Sequence, residues 1–212
     1  MAYIHQSEIT PSKLELVQHW LPTQPWFTGD IAGLGPHAAY RFDDPDGEVG
    51  IESLLLSGAD GAVVQIPLTY RGAPLAGGGQ HLVGEMEHSA LGHRWVYDAL
   101  GDPVAVAAFA TAARTGGHEA ELVIEVDGVR TLREPTARVS GSGTATAPVL
   151  AGDLGAVAVA HEDGTAVVTA DGLRLVLHRF PATAEPRDGA AAITGTWAGQ
   201  DEPALLAEVT AV

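Results

Sequence analysis

The 212-residue sequence contains no cysteine and no asparagine, and Lys13 is its only lysine. The missing cysteine excludes disulfide frameworks, thiolate metal sites and cysteine nucleophiles. Lys and Arg total 11 against 27 acidic residues, a formal net charge of −16 with histidine neutral. Duplex DNA and anionic membranes both call for clustered Lys and Arg, so neither is expected as a partner. The deficit is spread evenly, about −9 over residues 1–110 and −7 over 111–212, so there is no acidic tail. Aromatic residues make up only 6%, so a core must be assembled from many small Ala and Val contributions. Long apolar runs are missing too: the strongest, residues 104–113, is too short to span a bilayer. The N-terminus, Met1-Ala2-Tyr3-Ile4-His5, lacks the basic region and apolar run of a signal peptide. A cytoplasmic protein is expected.

What is present is a folded composition, 46% hydrophobic and 18% charged. Asp-Gly pairs occur at positions 46, 60, 127, 163, 171 and 188. Such pairs accept positive φ cheaply and suit tight turns between paired strands. Four of them sit between β-branched runs, 51–56 and 63–69, then 121–126 and 129–133, and finally 157–161, 165–169 and 173–180. The last three runs read as a meander, and the chain as mostly antiparallel.

Two segments carry helical signals instead. Ser12 with Glu15 forms a capping box after Thr10-Pro11, and Leu14, Val17 and Leu21 fall on one face until Pro22 and Pro25 stop the helix. Asp102 caps Pro103 at the start of a nearly uncharged helix that Gly116-Gly117 ends; it is expected to be well buried. These signals predict an α+β fold. Residues 1–114 form an antiparallel sheet with two helices, and residues 115–212 a β-rich meander domain. The stretch 140–148 (SGSGTATAP) reads as a flexible loop. Pro67, inside a strand pattern, predicts an edge or bulge where another chain could dock.

Several constellations invite a chemical reading. His81, Glu85, Glu87, His88, His93 and Asp98 could bind a divalent cation, with His88 and His93 as ligands. No pair has one-turn helical spacing, and Gly84 and Gly92 favour solvated positions beside a hairpin. Gly33-Leu34-Gly35-Pro36-His37-Ala38 matches a dinucleotide fingerprint on paper, but it follows no buried strand and Pro36 removes an amide, so a loop is expected. Asp43-Asp44-Pro45-Asp46-Gly47 lacks the carboxylates of a calcium loop at its first and twelfth positions and reads as a turn. No Gly-x-Ser-x-Gly elbow occurs. Trp20, Trp26, Phe27, Trp95 and Tyr97 are either core aromatics or the lining of a ligand groove.

Trp20-Leu21-Pro22-Thr23-Gln24-Pro25-Trp26-Phe27 resembles the Trp-Leu-Pro-x-Gln-x-Trp-Phe signature of the maltokinase N-terminal cap. Gln65-Ile66-Pro67-Leu68, then Arg94-Trp95-Val96-Tyr97-Asp98-Ala99 and Asp102-Pro103, resemble further elements of that cap in the same order across about residues 1–114. Met86-Glu87-His88-Ser89 adds a likeness to stand-alone cap-like proteins. The resemblance implies that Trp20, Leu21, Pro22, Gln24, Trp26, Phe27, Gln65, Pro67, Arg94, Trp95, Tyr97 and Asp98 are structural signature positions. It also implies a link to maltose, trehalose and glycogen metabolism. Phosphoryl transfer needs a lysine for the nucleotide phosphates and Asn or Asp for magnesium. Lys13 is committed to the first helix, no asparagine exists, and His178 stands where an echo of the lysine-bearing strand would want lysine. No catalytic residue and no cofactor is carried over. The expectation is a non-catalytic module with a protein partner, an enzyme of those pathways. The alternatives are a sugar-kinase-related enzyme, a hydrolase using His88 and His93, or a small-ligand carrier.

Overall fold

A computed structural model describes residues 2–4, 8–126, 129–147, 154–162 and 164–211. Their order is β1 (Ala2–Ile4), β2 (Ile9–Thr10), α1 (Lys13–Trp20), β3 (Gly35–Phe42), β4 (Gly50–Ser57), β5 (Val63–Arg71), β6 (Leu82–His88), β7 (Gly92–Asp98) and α2 (Pro103–Thr115). There follow β8 (Leu122–Val126), β9 (Val129–Arg133), β10 (Ala137–Gly141), β11 (Ala158–Glu162), β12 (Thr165–Ala170), β13 (Leu173–Ala182), β14 (Ala191–Trp197) and β15 (Gln200–Ala211). Two six-stranded sheets result, ordered β2-β6-β7-β5-β4-β3 and β10-β14-β15-β13-β12-β11, with a three-stranded sheet β1-β8-β9. Among the described strands the one parallel pairing is β1 with β8. The fold is α+β and predominantly antiparallel, as the turn spacing predicts.

The first large sheet is buried on both faces, which explains the unbroken burial of β5 from Val64 to Thr69. Side chains alternate across a strand. Leu54, Leu56, Val64, Ile66 and Leu68 face α1 in one cluster, while Ile51, Leu55, Tyr40 and Phe42 join α2 and the second large sheet in another. α2 packs on β10, β14 and β15, so it lies between the two sheets and is buried as expected. No described helix is long and apolar enough to cross a membrane.

Local signals hold where the physics is local. Ser12 Oγ accepts from the Glu15 amide and the Glu15 carboxylate accepts from the Ser12 amide, completing the capping box of α1. Asp102 caps α2, and Gly116, at φ +70°, ends it in the left-handed conformation. Asp60-Gly61 and Asp171-Gly172 turn with φ of +77° and +75° at glycine. The Asp44 carboxylate accepts from the amides of Asp46, Glu48 and Val49, which makes its segment a turn. Asp127-Gly128 and Asp163 lie outside the described residues.

Four expectations are corrected. The buried face of α1 is Leu16, Val17 and Trp20, continued by Leu21, with Leu14 only partly buried. Leu16 seats on β6 over Gly84, where a Cβ would come within 2.7 Å of its Cδ2. The expected loop 33–38 instead opens β3 at Gly35, because Gly35 and Pro36 pair with Ser57 and Leu56 of β4. Residues 140–147 do not form a free loop. Ser140 and Gly141 belong to β10, and the amides of Gly141, Gly143 and Thr144 donate to Gly117, Ala113 and Arg114. The segment thereby satisfies carbonyls at the end of α2 that have no helical partner; Pro148 lies outside the described residues. Pro67 is buried and β5 is an interior strand. The β7 ladder begins at Leu68, so the amide Pro67 lacks has no β7 partner to miss, and β13 packs across β5. No second chain can reach that position.

Candidate functional site

The resemblance residues converge on the line where the two halves of the chain meet. Trp20 ends α1, and the 3-10 turn Leu21–Thr23 with Pro22 near its start redirects the chain. Thr23 Oγ1 donates to the Trp20 carbonyl at 2.6 Å, and Gln24 Nε2 donates to Thr23 Oγ1 at 2.9 Å. The turn delivers Trp26 edge-on to Trp20 and Phe27, at ring-centroid distances of 6.2 and 6.1 Å. Phe27 covers Gly29, where a Cβ would stand 2.9 Å from the ring. On its other side Trp26 leaves the first sheet altogether. It stacks on His161 of β11 at 5.8 Å, and the Arg179 guanidinium of β13 lies 4.3 Å from its ring centroid.

Asp98 repeats this pattern. It ends β7, accepts from the Leu100 amide at 3.2 Å and takes a 2.5 Å hydrogen bond from Arg179 Nη2. Both partners are buried, Arg179 completely. Gln65 does the same from β5: its Oε1 accepts from the Tyr40 hydroxyl at 2.7 Å, and its Nε2 donates to the carbonyls of His178 and Leu206. Trp26, Gln65 and Asp98 therefore bind the second sheet in cis. The remaining signature positions brace the first half. Arg94 donates to the Leu91 carbonyl, Trp95 meets His93 edge-on at 4.4 Å, and the Tyr97 hydroxyl accepts from the Leu75 amide.

Beside this junction opens a cleft of about 200 Å³. One wall carries Trp20, Gln24, Gln80, His81 and Asp98; the other carries Val159 and His161. His81 lies hard against Gly101, where a Cβ would fall 2.1 Å from the imidazole Cγ. Gln80 Nε2 and His81 Nε2 are 3.0 Å apart. Partial burial, followed by the charge of Arg179, lowers the proton affinity of His161 and so favours its neutral imidazole. Behind the cleft, Trp26 Nε1 and Arg179 Nε and Nη1 are buried donors with no hydrogen-bond partner in the protein. Buried donors without acceptors are uncommon in folded proteins.

The histidine–carboxylate constellation does not assemble as a group. His93 bridges Glu87 and Glu85 at 2.6 and 3.0 Å on the exposed face of the β6–β7 hairpin. The His88 Nδ1 accepts from the amides of Ala90 and Leu91 at the hairpin turn. His81 and Asp98 belong to the cleft instead. Among the described residues no group of three or more His, Cys, Asp or Glu is placed to hold a metal ion.

Residue reading missed Arg179, His161 and Gln80. The signal for Arg179 is a cation inside the apolar strand 173–180, next to His178, which pairs with Glu208 at 3.1 Å.

Fold and junction together define an α+β chain whose resemblance residues are docked on an antiparallel sheet of the same chain. Residues 20–102 match the family model of the maltokinase N-terminal cap domain. That segment is similar to a maltokinase N-terminal cap domain and carries Trp20, Trp26, Gln65 and Asp98; α2, which follows it, also packs on the second sheet. No curated protein matches the chain.

Proposed function

We propose that this protein is a cap-like accessory module of maltose, trehalose or glycogen metabolism that acts by binding and not by phosphoryl transfer. The observation that supports this reading most is the placement of Lys13. The ammonium is bonded to the buried carboxylate of Glu52, which also accepts from the Tyr70 hydroxyl at 2.9 Å. The one lysine of the chain is thus committed to the α1 side of the sheet. No second lysine or asparagine is present to hold nucleotide phosphates or magnesium in the way a phosphotransferase does.

The binding reading is tested with the purified full chain against purified enzymes that make or use maltose, trehalose and glycogen, and against glycogen itself. Saturable association with one of them at micromolar concentration is expected. A chain that engages none of these enzymes and no glucan contradicts the proposal.

A further inference from the structure

The cleft has the chemistry of a ligand site, and its charge, size and hydrogen-bonding valence restrict what can occupy it. Charge comes first. Asp98 is paired with Arg179 at 2.5 Å, partial burial and that same arginine lower the proton affinity of His161, and neither Lys nor Arg lines the walls. A phosphate or carboxylate would find no solvent-accessible cation, and an ammonium no unpaired anion. Size comes second. At about 200 Å³ the cleft falls below the roughly 300 Å³ at which pockets for drug-sized ligands begin, and it accommodates one small ring.

Hydrogen bonding then selects the class. The Gln24 and Gln80 side-chain nitrogens are engaged by Thr23 and His81, which turns their carbonyl oxygens into acceptors for a third group. The His161 imidazole supplies a donor and an acceptor, and His81, whose Nε2 is engaged by Gln80, adds its Nδ1 on the adjacent wall. A hydroxyl is both donor and acceptor, and a ring of several hydroxyls can satisfy such a wall from both sides. Trp20 and Val159 supply the limited apolar contact that the C–H faces of such a ring need. Behind His161 and Asp98, the buried N–H groups of Trp26 and Arg179 have no acceptor in the protein.

We infer that the cleft between Gln80–His81 and His161 binds a neutral polyhydroxylated ligand of single-ring size, a cyclitol or free monosaccharide. The inference rests on reading the chain as a binding module. With so few atoms in contact, affinity is expected on the order of 1 mM.

The test is calorimetric titration of the full chain with myo-inositol, glucose and glucose 6-phosphate, accompanied by the imidazole NMR signals of His161 and His93. Saturable binding of one neutral ring is expected, with a shift of the His161 signal and none at His93. Gln80→Ala and His161→Ala, both at exposed side chains, should each weaken it roughly fivefold, the loss of one neutral hydrogen bond. His93→Ala should leave it unchanged. Absence of saturable binding by either neutral ring overturns the inference, as does binding that the cleft variants do not weaken. Tighter binding of glucose 6-phosphate overturns the neutral assignment. ADP release measured in the same samples with ATP–Mg present would instead overturn the non-catalytic reading, so the two failures are distinguishable.

Discussion

Lys13 and Glu52 show how one residue can fix a boundary condition for the whole chain. Burial alone pushes the Glu52 carboxyl up; the charges of Lys13 and Arg41 and the hydrogen bonds from Lys13 and Tyr70 more than reverse this and hold it below the ordinary carboxylate range. A carboxyl lowered by folding contributes stability above its unfolded value, and that contribution is lost as pH falls through the folded value. Lys13→Met should cost about 2 kcal/mol, below the ~3–5 of a fully buried pair because the lysine is partly exposed. It should also flatten the acid limb of the stability profile, since Glu52 then titrates closer to its unfolded value. Urea midpoints between pH 3 and pH 7, on the order of the carboxylate range, check both, and an unchanged acid limb would contradict the assignment. Arg179 is the sharper case. Arg179→Met leaves Asp98 buried and unpaired and should cost about 3–5 kcal/mol, while adding Asp98→Asn should recover much of that. A double variant no more stable than the single one would show that the pair is not the determinant. His93 behaves oppositely to Glu52. Its hydrogen bond to Glu87, with Glu85 adding to it, raises its proton affinity. The associated stability is present below the ordinary histidine value and lost as pH rises through the raised one. NMR titration should place His93 above and His161 below an ordinary histidine, and Glu87→Gln should bring His93 down; an unmoved His93 would remove Glu87 as the cause.

At the scale of elements, legibility tracks how local the determining physics is. The capping box at Ser12 and Glu15, the Asp102-Pro103 start of α2 and the meander β11–β13 were readable because each depends on neighbours in sequence. What was not readable depended on distant partners. The α1 face turned on Gly84, fifty or more positions away; Pro67 pointed to an edge or bulge, yet β5 pairs with β4 and β7 and β13 packs across it. The segment 140–147 looked flexible from its Gly, Ser and Thr content, yet it clamps the end of α2. The glycines there are required by proximity: a Cβ at Gly143 would stand 1.8 Å from the Arg114 carbonyl oxygen, and one at Gly141 1.9 Å from that of Ala112. Gly143→Ala should therefore destabilise the protein by about 1–3 kcal/mol through forced displacement of backbone. Thermal denaturation would measure it, and a neutral substitution would show that the clamp is dispensable.

At the scale of the molecule, the candidate site was half legible. Trp26, Gln65 and Asp98 were singled out by resemblance, but their roles emerged only when Arg179, His161 and Leu206 were found across the junction. A cap-like domain matched over residues 20–102 is here joined through its signature residues to a second sheet, and one hydrophobic cluster runs through both. We propose that residues 1–114 and 115–212 are two halves that unfold together. A single calorimetric transition is expected, whereas two separated transitions would indicate independently stable domains. The same junction bears on function, because it engages the resemblance residues inside the chain and leaves a polar cleft open beside them. The most direct test of the central claim, a cap-like module that binds without transferring phosphate, is thermal unfolding of the full chain with ATP–Mg, alone and with maltose. A ligand of the native state must raise the melting temperature. No rise is expected with nucleotide in either condition; a saturable, maltose-enhanced rise with ATP–Mg would contradict the binding-only role.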